Sequence, residues 1–118
     1  MTEVGYTIRF EGLEARDAGV AAESLRRTLI DEVSGIRVRR GRSDQDAMDF
    51  GTTLVVILAA PAVVQLAKGI AAWLGRTHSS KVTITRSDGK VVVENIGARE
   101  AATLAERLQA SDGRLTSL

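Results

Sequence analysis

Near the start of the chain Tyr6, Ile8 and Phe10 alternate with Thr7, Arg9 and Glu11, the two-residue period of a strand with one face buried. From about Asp17 to Val33 the period lengthens. Ala18, Ala21, Ala22, Leu25, Leu29 and Val33 line one face of a helix, and Gly35 supplies the left-handed stop beyond it. Alternation returns over Ile36 to Arg40, with Ile36 and Val38 turned inward and Arg37 and Arg39 outward. A polar loop then runs from Gly41 to Met48. Asp49 is placed to cap a following helix, because a carboxylate accepts bonds from unpaired amides at the positive dipole end.

The run Leu54 to Leu74 is almost wholly apolar, yet it holds the only proline, Pro61, and two polar residues, Gln65 and Lys68. In its second half Val63, Leu66, Ala67, Ile70 and Leu74 recur at steps of three and four, with Gln65, Lys68, Ala72 and Arg76 opposite. That spacing predicts an amphipathic helix. The first half, Leu54 to Ala60, is apolar on all sides, and the expectation is that it extends the same helix. Pro61, which lacks an amide proton, either kinks that helix or starts a second one.

Beyond a loop at Thr77-His78-Ser79-Ser80, Lys81 to Ser87 and Lys90 to Ile96 predict two strands joined by Asp88-Gly89, a two-residue hairpin signal. Counting out from that turn pairs Thr85 with Val92, Ile84 with Val93, Thr83 with Glu94 and Val82 with Asn95. Val82, Ile84, Val91 and Val93 then share the buried face. A last helix from about Ala98 to Gln109 packs Ala101, Leu104, Ala105 and Leu108, and the tail from Gly113 to Leu118 is expected to be mobile.

The predicted order is β-α-β-α-β-β-α, which gives an α+β fold: a two-layer sandwich with a mixed four-stranded sheet, helices on one face and a long apolar second helix. The first two strands are expected to run parallel through a crossover helix, and the hairpin adds an antiparallel pair. No internal repeat or boundary divides the chain, so residues 1–118 are expected to form one domain.

Composition narrows the function. With 44% hydrophobic and 26% charged residues the chain has ordinary globular values, and its length suffices for a core without metal or disulfide staples. It has no cysteine, which excludes disulfides, thiolate metal sites and a cysteine nucleophile. Net charge is +1, so general attraction to nucleic acid is not expected. The start, Met1 to Tyr6, carries no basic segment followed by an apolar core, and cytoplasmic residence is expected.

The outward positions of the predicted sheet carry Thr7, Arg9, Arg37, Arg39, Thr83, Thr85 and Glu94. Sheets that bind single-stranded RNA stack bases on exposed aromatics, and here none faces outward. Arg37, Arg39, Arg40 and Arg42 could contact phosphates, but a charged strand edge that resists unwanted pairing is the better reading. Asp44, Asp46 and Asp49 resemble a calcium loop, yet Met48 stands where a ligand is needed and Asp49 where glycine is needed. Asp49-Phe50-Gly51 spells a kinase triplet without the rest of the kinase signature. His78, the single histidine, lacks an evident orienting carboxylate, although Ser79 and Ser80 follow it. No cofactor motif, metal site or catalytic set is found, and no enzymatic activity is expected.

Four segments together resemble a family. They are Leu25-Arg26-Arg27-Thr28-Leu29, the strand Ile36 to Arg40, the helix end Leu66 to Leu74 with Ala72-Trp73-Leu74, and the hairpin Val82 to Val93. In order and spacing, from Leu25 to Leu108, they resemble the effector-associated constant component family of bacteria. The resemblance implies a small accessory protein of conflict or immunity systems, an adaptor encoded beside effectors such as caspase-like or trypsin-like peptidases. It implies no catalytic residue.

An unbroken helix from Phe50 to Gly75 would be about 39 Å long, whereas strands of five to seven residues reach only about 17 to 23 Å. The sheet could not cover it all. The expectation is a projecting interface of Leu54, Val55, Val56, Ile57 and Leu58, with Trp73, that self-associates into a homo-oligomer or docks on an effector. The alternative makes residues 54–74 a membrane anchor or an inserting segment. Length suits a span, but Lys68 inside it would cost roughly 2.5 to 3.5 kcal/mol.

Overall fold

The computed structural model describes residues 3–41, 53–77 and 81–111. Its elements are β1 (Glu3–Glu11), α1 (Ala15–Glu32), β2 (Arg37–Gly41), β3 (Thr53–Ala59), α2 (Val63–Thr77), β4 (Lys81–Arg86), β5 (Val91–Ile96) and α3 (Leu104–Ser111). Short 3-10 turns at Ala60–Ala62 and Ala98–Thr103 lead into α2 and α3. The α+β class is as expected from the sequence. The sheet, however, has five strands in the order β2-β3-β1-β4-β5, and every pairing is antiparallel.

The main correction concerns Leu54 to Ala60. This stretch is not the first half of a long apolar helix but lies almost wholly in β3, which pairs with β1 on one side and β2 on the other. Thr53, Val55, Val56 and Ile57 are β-branched and pack well on a pleated surface. Its backbone is paired on both sides; Leu54, Val56 and Leu58 enter the core, and Val55 and Ile57 are left half-buried on the other face. Pro61 then sits in the first turn of a new helical segment, where a missing amide proton costs no bond. Of the two roles open to Pro61, starting a helix is the one it takes. With the run divided, no helix among the described residues is long and apolar enough to cross a membrane, and residues 54–74 supply no helical anchor.

Insertion of β3 also separates β1 from β2. Those two strands do point the same way, as a crossover through α1 requires, but each pairs antiparallel with β3 between them. The first six elements thus run β-α-β-β-α-β with β3 and β1 side by side in the middle, the split β-α-β connectivity of ferredoxin-like domains. β5 and α3 extend that unit beyond β4.

The core lies between the helices and one face of the sheet. Tyr6, Ile8 and Phe10 of β1, Leu54, Val56 and Leu58 of β3, and Val82 and Ile84 of β4 point into it. They meet Ala22, Leu25 and Leu29 of α1, Val63, Leu66, Ile70, Trp73 and Leu74 of α2, and Leu104 and Leu108 of α3. The helical periodicity of residues 63–76 is realised, with Lys68 exposed on the outer side. Gly69 lets α1 and α2 approach, since a Cβ there would lie 3.1 Å from Leu29 Cδ2. At the far end the Trp73 indole meets Phe10 edge-on at 5.7 Å and donates to Ser24 Oγ at 3.0 Å.

The hairpin turns with three residues, not two. The Gly89 amide donates to the Arg86 carbonyl at 2.9 Å, the Arg86 amide to the Lys90 carbonyl at 2.8 Å, and Gly89 alone in the turn takes a positive φ, of 95°. That is a tight turn closed by a left-handed glycine. Thr85 therefore pairs with Val91, not Val92, and a register shift restores Ile84 opposite Val93. A second irregularity, where Asn95 has φ 53°, sets Val82 opposite Ile96. Val91 consequently leaves the core and is 57% exposed. The acidic loop residues Asp44, Asp46 and Asp49, the Asp49-Phe50-Gly51 triplet, His78 and the tail from 113 lie outside the described residues.

Candidate functional site

Alternate strand residues that do not enter the core form the opposite face of the sheet, where the register sets three central rows between the end pairs Glu3 with Ala59 and Glu11 with Lys81. Arg37, Ile57 and Gly5 form the first; Arg39, Val55, Thr7, Thr85 and Val91 the second; Gly41, Thr53, Arg9 and Thr83 the third. Strand spacing of about 4.8 Å makes the second row about 19 Å wide. Each strand contributes one column, so cations line the β2 side and the β-branched pair Val55 and Ile57 stands beside them. Gly5, Thr7 and Arg9 follow at the centre.

Two shallow depressions flank the Val55 and Ile57 column. One is lined by Arg37, Val38, Arg39, Val55 and Ile57. The other, on the β1 side, is lined by Gly5, Thr7, Val55, Ile57 and Ser87 among others. It exists because Gly5 has no side chain: a Cβ there would lie 3.4 Å from Ser87 Cβ and 3.7 Å from the Val56 carbonyl oxygen. The floor is held in place by the Ser87 amide, which donates to the Gly5 carbonyl at 3.0 Å.

The charges on this face are partly matched. Arg37 Nη2 donates to both carboxylate oxygens of Glu3, at 3.0 and 3.2 Å, and Arg9 Nη2 lies 3.4 Å from Glu11. The Thr83 hydroxyl donates to Glu11 and accepts the Asn95 amide at 3.0 Å, so that buried threonine braces both a carboxylate and a bulge. Among the described residues Arg39 has no carboxylate partner; its guanidinium lies along the face near Gly41, where an added Cβ would sit 3.3 Å from Nη1.

Arg40 points the other way, towards α1, with Nη1 3.8 Å from Glu23. Glu23 also accepts from Arg26 at 2.9 and 3.1 Å and from Arg27 at 3.1 Å. The Arg26 hydrogen bond above all, opposed by desolvation and helped by Arg27, holds the Glu23 carboxyl at about 2. The same bond raises the Arg26 pKa. This cluster ties β2 to α1. Asp88 is lowered first by the Lys90 amide, and Glu100 first by the Gly97 amide, which mark the hairpin turn and the entry to the last helical segment.

Of the residues expected at an interface, Leu54, Val56, Leu58 and Trp73 are buried within the protein's own core. Val55 and Ile57 are half-buried and belong to the open face. Tyr6 and Phe10 point into the core, so the aromatic platform needed for base stacking is missing from β1, as expected. Strand alternation places Thr7, Arg9, Arg37, Arg39 and Thr85 on the open face as expected. Val55 and Ile57 on an open face and the Gly5 depression do not follow from a helix over Leu54 to Ala60; the signal for them is the β-branched run beside Thr52 and Thr53. On the helical side a second groove, lined by Leu13, Asp17, Val20, Ala21, Ser24, Trp73 and Thr77, carries the 67% exposed Val20.

No curated protein and no solved structure matches the chain. The model of one family, described as Effector Associated Constant Component 1, matches residues 14–112, from the start of α1 to just past α3. The chain belongs to the Effector Associated Constant Component 1 family, the accessory components that accompany effectors in conflict systems.

Proposed function

We propose that this protein is a non-enzymatic adaptor that docks a protease-type effector, such as a caspase-like or trypsin-like peptidase, on the open face of its sheet. The single observation that carries this reading is the asymmetry of the sheet. One face is filled by three helices, while the other sets Val55 and Ile57 between arginines and a glycine-floored depression. Apolar side chains grouped on a surface with a charged rim are what a docking interface requires. Family membership supports an effector as the partner, and the cysteine-free sequence suits a cytoplasmic setting.

Co-purification with the effector encoded beside the gene tests the reading. Ile57→Asp is expected to abolish the complex with an unchanged circular dichroism spectrum. Val20→Asp, on the helical side, is expected to leave it intact. The opposite pattern would move the docking site to the groove between α1 and α2.

A further inference from the structure

We infer that the occupant of the open face is an amphipathic helix of the effector, setting an apolar stripe on Val55 and Ile57 and carboxylates against Arg37 and Arg39. This rests on the docking reading above and adds the chemistry of the partner. The backbone groups of β1 and β3 are already consumed by pairing on both sides, so the face offers side chains alone. An extended peptide laid flat on it would leave its own amides and carbonyls without protein partners. A helix satisfies those groups internally, and at about 10 Å across it fits a face about 19 Å wide.

Charge selects the sign of the partner. On β1, β2 and β3 the face carries Arg9, Arg37 and Arg39, and its acids, Glu3 and Glu11, already engage Arg37 and Arg9. Arg39 is left facing outward beside Val55, its neighbour across the strands. A second copy of this chain would bring the same three arginines beside Glu3 and Glu11, which already engage two of them. A helix with Asp or Glu flanking its apolar stripe gives Arg39 a partner and competes with Glu3 for Arg37, whose guanidinium and partner are both mostly exposed. The Gly5 depression takes one apolar side chain of the stripe.

The test uses the full chain and the co-encoded effector, with affinity measured by calorimetry at about 0.1 M and about 0.5 M salt. Arg39→Glu is expected to weaken binding about tenfold or more, Arg39→Lys by less than about threefold, and wild-type binding is expected to fall at the higher salt. A photo-crosslinking residue at Thr7 is expected to capture an effector helix bearing carboxylates beside an apolar stripe. Thermal unfolding of each variant verifies the fold. A complex indifferent to Arg39→Glu and to salt, or a Thr7 crosslink to a strand or a basic segment, overturns the acidic helix and leaves the docking reading standing. A Thr7-to-Thr7 crosslink between copies replaces the helix with a homodimer. Absence of any wild-type complex overturns both proposals.

Discussion

Leu58 and Ile57 are adjacent on β3 yet face opposite environments, Leu58 fully buried among the helices and Ile57 half-buried on the open face. Leu58→Ala removes packed atoms and leaves a cavity, so a loss of about 2 to 5 kcal/mol is expected in denaturant titration. Ile57→Thr keeps a β-branched side chain on the outer face and should cost less than about 1 kcal/mol. Similar losses at both positions would contradict the strand. Glu23 supplies a second residue-scale expectation. Its carboxyl is held at about 2 in the folded protein against an ordinary 4.5, so its contribution is complete above 4.5 and is lost as pH falls from 4.5 towards 2. Asp88 and Glu100, also lowered, act in the same direction. Glu23→Gln should flatten that acid limb of the stability curve, and an unchanged limb would show that the arginine cluster does not bias folding.

Most elements of the fold are written in the hydrophobic period. α1, β1, β2, α2 from Val63 onward and both hairpin strands are legible because each buries one face and exposes the other. β3 is not, for a physical reason. It is a central strand whose outward residues, Val55 and Ile57, are as apolar as its inward ones, so alternation vanishes and a buried strand looks like a buried helix. The β-branched content and the proline two residues past its end are the signals that separate them. The hairpin register differs by one residue next to the turn, since Asp88-Gly89 also suits a three-residue turn that ends in a left-handed glycine. That single residue turned Val91 outward. Of the candidate site, the charged and threonine positions could be seen in the sequence, whereas their apolar centre depended on recognising β3. Pro61→Ala discriminates at this scale. With Pro61 in the first turn after a strand, the change should shift stability by less than about 1 kcal/mol. Were residues 54–74 one helix, removing an interior proline would stabilise by about 3 kcal/mol.

In the whole molecule the two faces of one sheet differ: one holds the fold together, and the other is the face proposed to meet a partner. The split β-α-β connectivity produces this division, because both crossovers, through α1 and α2, lie on the same side, and among the described residues no helix packs on the reverse side. The apolar core lies on that side; on the reverse side Thr53 and Thr83 are buried, whereas Val55, Ile57, Arg37 and Arg39 are half-buried or exposed and open to recognition. The most direct measurement is a nuclear magnetic resonance titration of the methyl-labelled chain with the effector it is proposed to dock. Val55, Ile57 and Thr7 methyls are expected to shift or broaden first while Val20 on α1 is unmoved; perturbation centred on Val20 and Leu13, with Val55 and Ile57 unchanged, would contradict docking on the open face.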